Sequence, residues 1–124
     1  MSREMVNAIC AALPGAEVSD PWGGGHDAWK VGGKMFSNTG SMGTGVSLKT
    51  ADIETATALI DMGRATKAAY LHRSWVFVPF DRIGPDDITE DELRERLLTS
   101  YRLVRGKLPK KVQAGLAPLD DTGA

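Results

Sequence analysis

Two adjacent glycines, Gly32 and Gly33, separate DAWKV from KMFSN, two short runs with strand character. A Gly-Gly pair adopts positive φ at both central positions of a two-residue turn and so closes a tight antiparallel hairpin. The pairing follows from that geometry: Val31 faces Lys34, Lys30 faces Met35 and Trp29 faces Phe36. Trp29, Val31, Lys34 and Phe36 then share one face, which places a lysine on an apolar surface.

The segments on either side extend this unit. A glycine-rich loop, NTGSMGTG, leads to VSLKT, where Val46 and Leu48 point one way and Ser47 and Lys49 the other, completing a three-stranded meander. Ahead of the hairpin, Val6, Ile9, Cys10 and Leu13 recur at helical spacing. Ser2 is placed to cap that helix and Pro14-Gly15 to stop it, with AEVSDPWGGGHD following as an irregular stretch. Asp52 is placed as the N-cap of a second helix running to about Met62, with Ile53, Ala56, Leu59 and Ile60 buried and Gly63 at its end. SWVFVPF predicts a strand covered on both faces, with Tyr70 and Leu71 in a neighbouring strand. The last helix begins at a T-x-x-E capping box, Thr89 with Glu92, flanked by Ile88 and Leu93 as a hydrophobic staple. Leu93, Leu97, Tyr101 and Val104 form its buried stripe, Gly106 ends it and Pro109 starts a further short turn. This order predicts an α+β sandwich with an antiparallel sheet and helices largely on one face. Its 124 residues fit one domain over 1–116, with a flexible C-terminal tail at 117–124.

Charge and composition narrow the function. Fifteen Lys and Arg against sixteen Asp and Glu leave a net charge of −1, so overall charge alone does not draw the chain to nucleic acid or to an anionic membrane. No apolar run approaches the ~20 residues that span a bilayer, and no membrane association is expected. A single cysteine, Cys10, forms no internal disulfide and, with His26 and His72, lacks the paired spacing of a zinc site. The expected compartment is the cytoplasm, with no cofactor or metal implied.

Sequence motifs exclude more than they assign. The glycines fit neither a Walker loop, which needs Gly at position 28 and Ser or Thr at 35 where the chain has Ala28 and Met35, nor G-x-G-x-x-G between a strand and a helix. Ser74, Ser100, His26 and His72 are the available hydroxyls and bases, but no nucleophile elbow surrounds them, and Ser100 lies within a helix, where a hydroxyl commonly bonds back to the preceding turn. DDITEDE places its carboxylates at a helix N-terminus, where they favour the dipole. Trp22, Trp29, Trp75 and Tyr101 are expected in the core.

Segment by segment, the charge is polarised. From Asp81 to Ser100 there are seven acids and three bases; from Tyr101 to Ala124 there are five bases, Arg102, Arg105, Lys107, Lys110 and Lys111, and two acids. These cations either complement the C-terminal end of the helix dipole or form a phosphate-contacting patch, extended by Lys30, Lys34, Lys49, Lys67 and Arg73 where the fold gathers them. Lys34 either snorkels from the sheet edge or is held for an anionic ligand.

In order and spacing, LPG, DPWG, W-K-V-G-G-K-M-F, V-S-L-K, S-W-V and SYRLVRGKLPKK resemble the MmcQ/YjbR family, from about Leu13 to Lys111. The resemblance implies a frataxin-like (CyaY-type) α+β fold and a DNA-binding protein with a double-wing arrangement of hairpins and basic residues. The positions matching the family's motifs are Pro21, Trp22, Lys34, Phe36, Lys49, Trp75, Ser100, Tyr101, Leu108, Pro109 and Lys110, most of them framework. The chain departs from such a pattern at NTGSMGTG, a natural wing tip without Lys or Arg, which argues against groove insertion there.

The leading expectation is a non-enzymatic protein that binds DNA weakly and without sequence preference, through Lys34, Lys49, Arg73, Arg102, Arg105, Lys107, Lys110 and Lys111. The second is a module for a protein or small anionic ligand, with a pocket bounded by Lys34, Lys49 and either Trp29 or Tyr101. An enzyme, the third, would bring Ser100, His72 and a carboxylate into hydrogen-bond reach. Iron binding lacks support, because the first helix offers only Glu4, and Glu17 lies beyond its end.

Overall fold

The computed structural model describes residues 3–119. Six strands form one antiparallel sheet in the order β1-β2-β3-β4-β6-β5: β1 Ala16–Ser19, β2 Asp27–Val31, β3 Lys34–Thr39, β4 Gly45–Lys49, β5 Thr66–Lys67 and β6 Trp75–Pro79. Helices α1 Arg3–Ala11, α2 Ile53–Asp61 and α3 Glu90–Gly106 pack on it, and a short α4, Lys110–Ala114, follows α3. The result is the expected α+β layer of helices against an antiparallel sheet.

Local signals set the boundaries. Asp52 Oδ1 accepts from the Thr55 amide at 2.7 Å, and Thr89 Oγ1 accepts from the Glu92 amide at 3.1 Å. Only half of the capping box forms, because the Glu92 carboxylate is turned to Arg64, whose Nε lies at 3.3 Å, and lies 3.8 Å from Arg96. Ile88 and Leu93, the staple pair, are both buried. The expected cap at Ser2 lies outside the described residues.

The Gly32-Gly33 turn forms with φ of +58° and +80°, and Val31 pairs with Lys34 and Lys30 with Met35. One residue further on the expected register fails: Trp29 pairs with Ser37 instead of Phe36, with a bulge between. A bulge inserts one unpaired residue and bends its strand. Phe36 is the residue left without a partner, and it and Ser37 are both fully buried.

The backbone groups released near the bulge are satisfied by a helix. Ser100 Oγ donates to the Phe36 carbonyl at 2.6 Å and accepts from the Lys49 amide at 2.9 Å, bridging β3 and β4 where their ladder ends. This corrects the expectation that the Ser100 hydroxyl bonds within its own helix. Its neighbour Tyr101 stacks edge-on against Phe36, centroids 5.3 Å apart, and donates to the Pro14 carbonyl at 2.6 Å.

Two further differences concern strands. AEVS is the edge strand β1, paired through Ala16 with Val31 and through Ser19 with Ala28, where an irregular stretch is predicted. Its side chains are mostly exposed, so it carries little hydrophobic signal. Conversely, Tyr70 and Leu71 form no strand: β5 is Thr66–Lys67, and Tyr70 takes a left-handed φ of +65° with its ring fully exposed. Of the tail expected at 117–124, the Ala117 carbonyl accepts from Arg105 at 2.8 Å and Leu119 packs against the core; residues 120–124 lie outside the described ones.

Two outcomes follow. Ser100→Ala leaves a buried donor and acceptor unpaired and lowers stability by about 1–3 kcal/mol in a denaturant titration, with faster hydrogen exchange at the Lys49 amide. An unchanged midpoint and unchanged exchange would remove the bridge from the account. Burial pushes the Cys10 thiol up to about 12, so the native protein resists Ellman's reagent at neutral pH and reacts only on unfolding.

Candidate anion site at the end of the sheet

β3 begins, β4 ends and β6 begins at the same end of the sheet, since Lys49 pairs with Trp75 and Leu48 with Ser37. The C-terminal end of α3 closes over this corner. Between them lies a cavity of about 330 Å³ lined by Lys34, Met35, Lys49, Trp75, Val104, Lys107 and Leu108. The apolar residues give it walls and the three lysines give it positive charge.

Each lysine arrives from a different element. Lys34 opens β3 directly after the diglycine turn. Lys49 ends β4, and its amide is held by Ser100. Lys107 caps α3, where a cation meets the negative end of the helix dipole. Gly32 fixes the hairpin against this end of α3: a Cβ there would lie 2.6 Å from Leu108 Cδ1, and the positive φ also favours glycine.

Lys49 has the most constrained ammonium of the three. Nζ donates to Ser74 Oγ at 3.2 Å, and Ser74 Oγ lies 2.9 Å from His72 Nδ1, which also accepts from the Ser74 amide at 3.1 Å. Burial, and then the charge of Lys107, lower the Lys49 pKa from its ordinary 10.5. Two cations are thus held near one another, and among the described residues no carboxylate forms an ion pair with Lys49.

Of the eight residues expected to contact DNA, Lys34, Lys49 and Lys107 line this cavity. Lys110 and Lys111 are exposed at the start of α4, Arg73 is exposed in the turn before β6, and Arg102 is exposed on α3; none of these lines it. Arg105 is occupied structurally, donating to Tyr101 Oη at 2.8 Å and to the Ala117 carbonyl. The aromatic wall is Trp75, where Trp29 or Tyr101 was expected. Trp29 instead donates from Nε1 to Asn7 Oδ1 at 2.9 Å. Trp22, expected in the core, is 59% exposed.

Sequence reasoning missed Met35, Val104 and the Ser74 hydroxyl as parts of this site. The available signal for Ser74 was its place two residues after a histidine, just before a buried strand. Ser100 and His72 do not meet, since Ser100 bonds Phe36 and Lys49 while His72 bonds Ser74. Among the described residues, no group of three or more His, Cys, Asp or Glu could hold a metal ion, and no helix is long and apolar enough to cross a membrane.

Comparison with known proteins bears on the fold and the family. The crystal structure of Deinococcus radiodurans protein DR2400, which carries a DUF419 domain, superposes with a TM-score of 0.82 at 24% identity, covering 99% of this chain and 94% of that one. At that identity the likeness is one of fold. No curated protein matches the chain. The YjbR family model matches residues 11–103, across the hairpin, the lysines at 34 and 49 and the Ser100-Tyr101 pair, and the chain belongs to the YjbR family.

Proposed function

We propose that this protein is a non-enzymatic binding module whose site takes a phosphate-type anion at the corner formed by Lys34, Lys49 and Lys107. The observation that carries the reading is the convergence of these three side chains on one cavity with an apolar wall including Trp75. A concave site of this size suits a compact phosphorylated ligand with an apolar or aromatic portion. An anion would relieve the mutual repulsion of Lys49 and Lys107, so the binding energy includes an electrostatic cost already present in the free protein.

DNA is the second reading. Family membership supports a DNA- or ligand-binding role, and the cations continue from Lys107 to Lys110 and Lys111 at the start of α4. A duplex would place one backbone phosphate at the cavity and others along α4, with Arg73 and Arg102 as outlying contacts. A frataxin-like (CyaY-type) sandwich and a cytoplasmic, bacterial setting belong to the same reading; the single, buried cysteine is in keeping with a reducing compartment.

The two sources of phosphate separate by mutation. Lys49→Ala and the double variant Lys34→Ala/Lys107→Ala are expected to weaken inorganic pyrophosphate and a nucleoside monophosphate by about tenfold or more in calorimetry, whereas Lys110→Ala/Lys111→Ala leaves both unchanged. A short DNA duplex read by fluorescence anisotropy would instead lose affinity in the α4 double variant, with a salt slope near ~0.9 per phosphate neutralised. Duplex binding that survives Lys49→Ala, together with no binding of either small phosphate, overturns the cavity reading.

The Lys49 environment also sets a pH dependence. Its lowered pKa means that the free protein loses this charge at a lower pH than an ordinary lysine does. Bound anion favours the ammonium, so affinity is full near neutrality and falls as pH rises through the free-state Lys49 pKa. Removing the Lys107 charge in Lys107→Ala raises that pKa and moves the fall to higher pH. A profile that is flat through the alkaline range would exclude Lys49 from the site.

A further inference from the structure

A second cavity lies on the sheet face away from the helices. Asn38 and Ser47 are cross-strand partners on β3 and β4, and their neighbours Ser37, Thr39, Val46 and Leu48 are buried on the helix side. Above Asn38 and Ser47, the loop between β1 and β2 and the turn after β5 enclose about 370 Å³, lined by Trp22, His26, Asn38, Ser47, Ala69, Tyr70 and Leu71. This lining shares no residue with the lysine cavity.

Three features of this cavity serve no evident purpose in the fold. Trp22 is 59% exposed and the Tyr70 ring is wholly exposed, so neither contributes much to the core. Tyr70 alone among the described non-glycine residues has positive φ, a conformation that costs a bulky side chain about 1–2 kcal/mol. Asn38 lies on the floor of the cavity, its Oδ1 closed off from solvent and without a hydrogen-bond partner among the described residues, an arrangement that carries a cost.

The loop that carries Trp22 is nevertheless organised. Asp20 accepts from the Gly25 amide at 2.9 Å and the His26 amide at 3.1 Å, and His26 Nδ1 lies 3.0 Å from the Gly23 carbonyl. His26 in turn meets Trp22 edge-on, centroids 5.2 Å apart. The indole is therefore held at the rim by a fixed imidazole even though it is open to water.

We infer that this cavity binds a planar heteroaromatic ring, with Trp22 and Tyr70 offering their faces and Asn38 on the floor. Aromatic faces bind any π-surface by stacking, which admits a planar ring and not a saturated one. Ser47 and His26 add polar partners. Left-handed backbone at Tyr70 is the kind of local strain that persists at ligand sites. The inference is independent of the lysine cavity and does not require a phosphate.

The test uses the full chain, ¹⁵N-labelled, titrated with adenine and, as a control, with cyclohexylamine. The expected result is saturable movement of the Trp22 indole N–H and the Asn38 side-chain amide signals with adenine only, while the Trp29 and Trp75 indoles stay in place. Asn38→Ala and Trp22→Ala each weaken adenine by about tenfold; an unshifted Trp29 indole reports that each variant is folded. Tyr70→Gly removes the strain, so it raises the thermal midpoint while weakening adenine. Equal response to cyclohexylamine, no saturable shift at millimolar adenine, or unchanged affinity in Tyr70→Gly and Asn38→Ala would overturn the assignment.

Discussion

The hydroxyl of Ser100 is the interaction on which the arrangement of this protein turns. An antiparallel ladder that meets a bulge must leave backbone groups without strand partners, and buried unpaired groups are costly. Here one side chain from the long helix supplies both missing functions, as donor to Phe36 and acceptor from Lys49. Because that bond comes from α3, the helix cannot slide along the sheet without breaking it. The register of β3, the end of β4 and the depth of the helix are thereby set together, and Tyr101 beside it locks the same helix to the turn after α1.

This bridge also decides where charge accumulates. With the Lys49 amide fixed, its side chain leaves the sheet beside Trp75 and under the last turn of α3, where Lys107 is already placed by the helix end. The Ser74 hydroxyl receives the ammonium, and His72 holds that hydroxyl from the other side. Nothing in this group is an acid. The corner gathers cations and apolar walls and leaves carboxylates to salt bridges such as Arg64 with Glu92 elsewhere, and the proposed anion site rests on that sorting.

Much of the fold was legible in the sequence because its signals were local. The diglycine turn, the Asp52 cap and the Thr89 cap each rest on residues within a few positions of one another, and all three form. The bulge was not legible, since it depends on a helix more than sixty residues away supplying a bond to Phe36. The AEVS edge strand was missed because edge strands expose both sides and lose the alternation that marks a half-buried strand. Trp22 was misplaced for a related reason: a tryptophan is usually buried, and three following glycines were the one hint that this one sits in an open loop. Among the site residues, Lys34 and Lys49 could be placed on strands, because the diglycine turn and the alternation of VSLKT are local signals. Their convergence with Lys107 depended on the packing angle of α3, and the dispersal of Arg73, Arg105, Lys110 and Lys111 depended on it equally.

Leu108 has a double position. Its side chain lies against the backbone of Gly32 at the hairpin turn, and it also forms part of the wall beside Lys34 and Lys107. The seating of the β2–β3 hairpin and the shape of the charged corner consequently share one side chain. A substitution that shortens Leu108 therefore removes the hairpin's support and one wall of the lysine cleft at the same time.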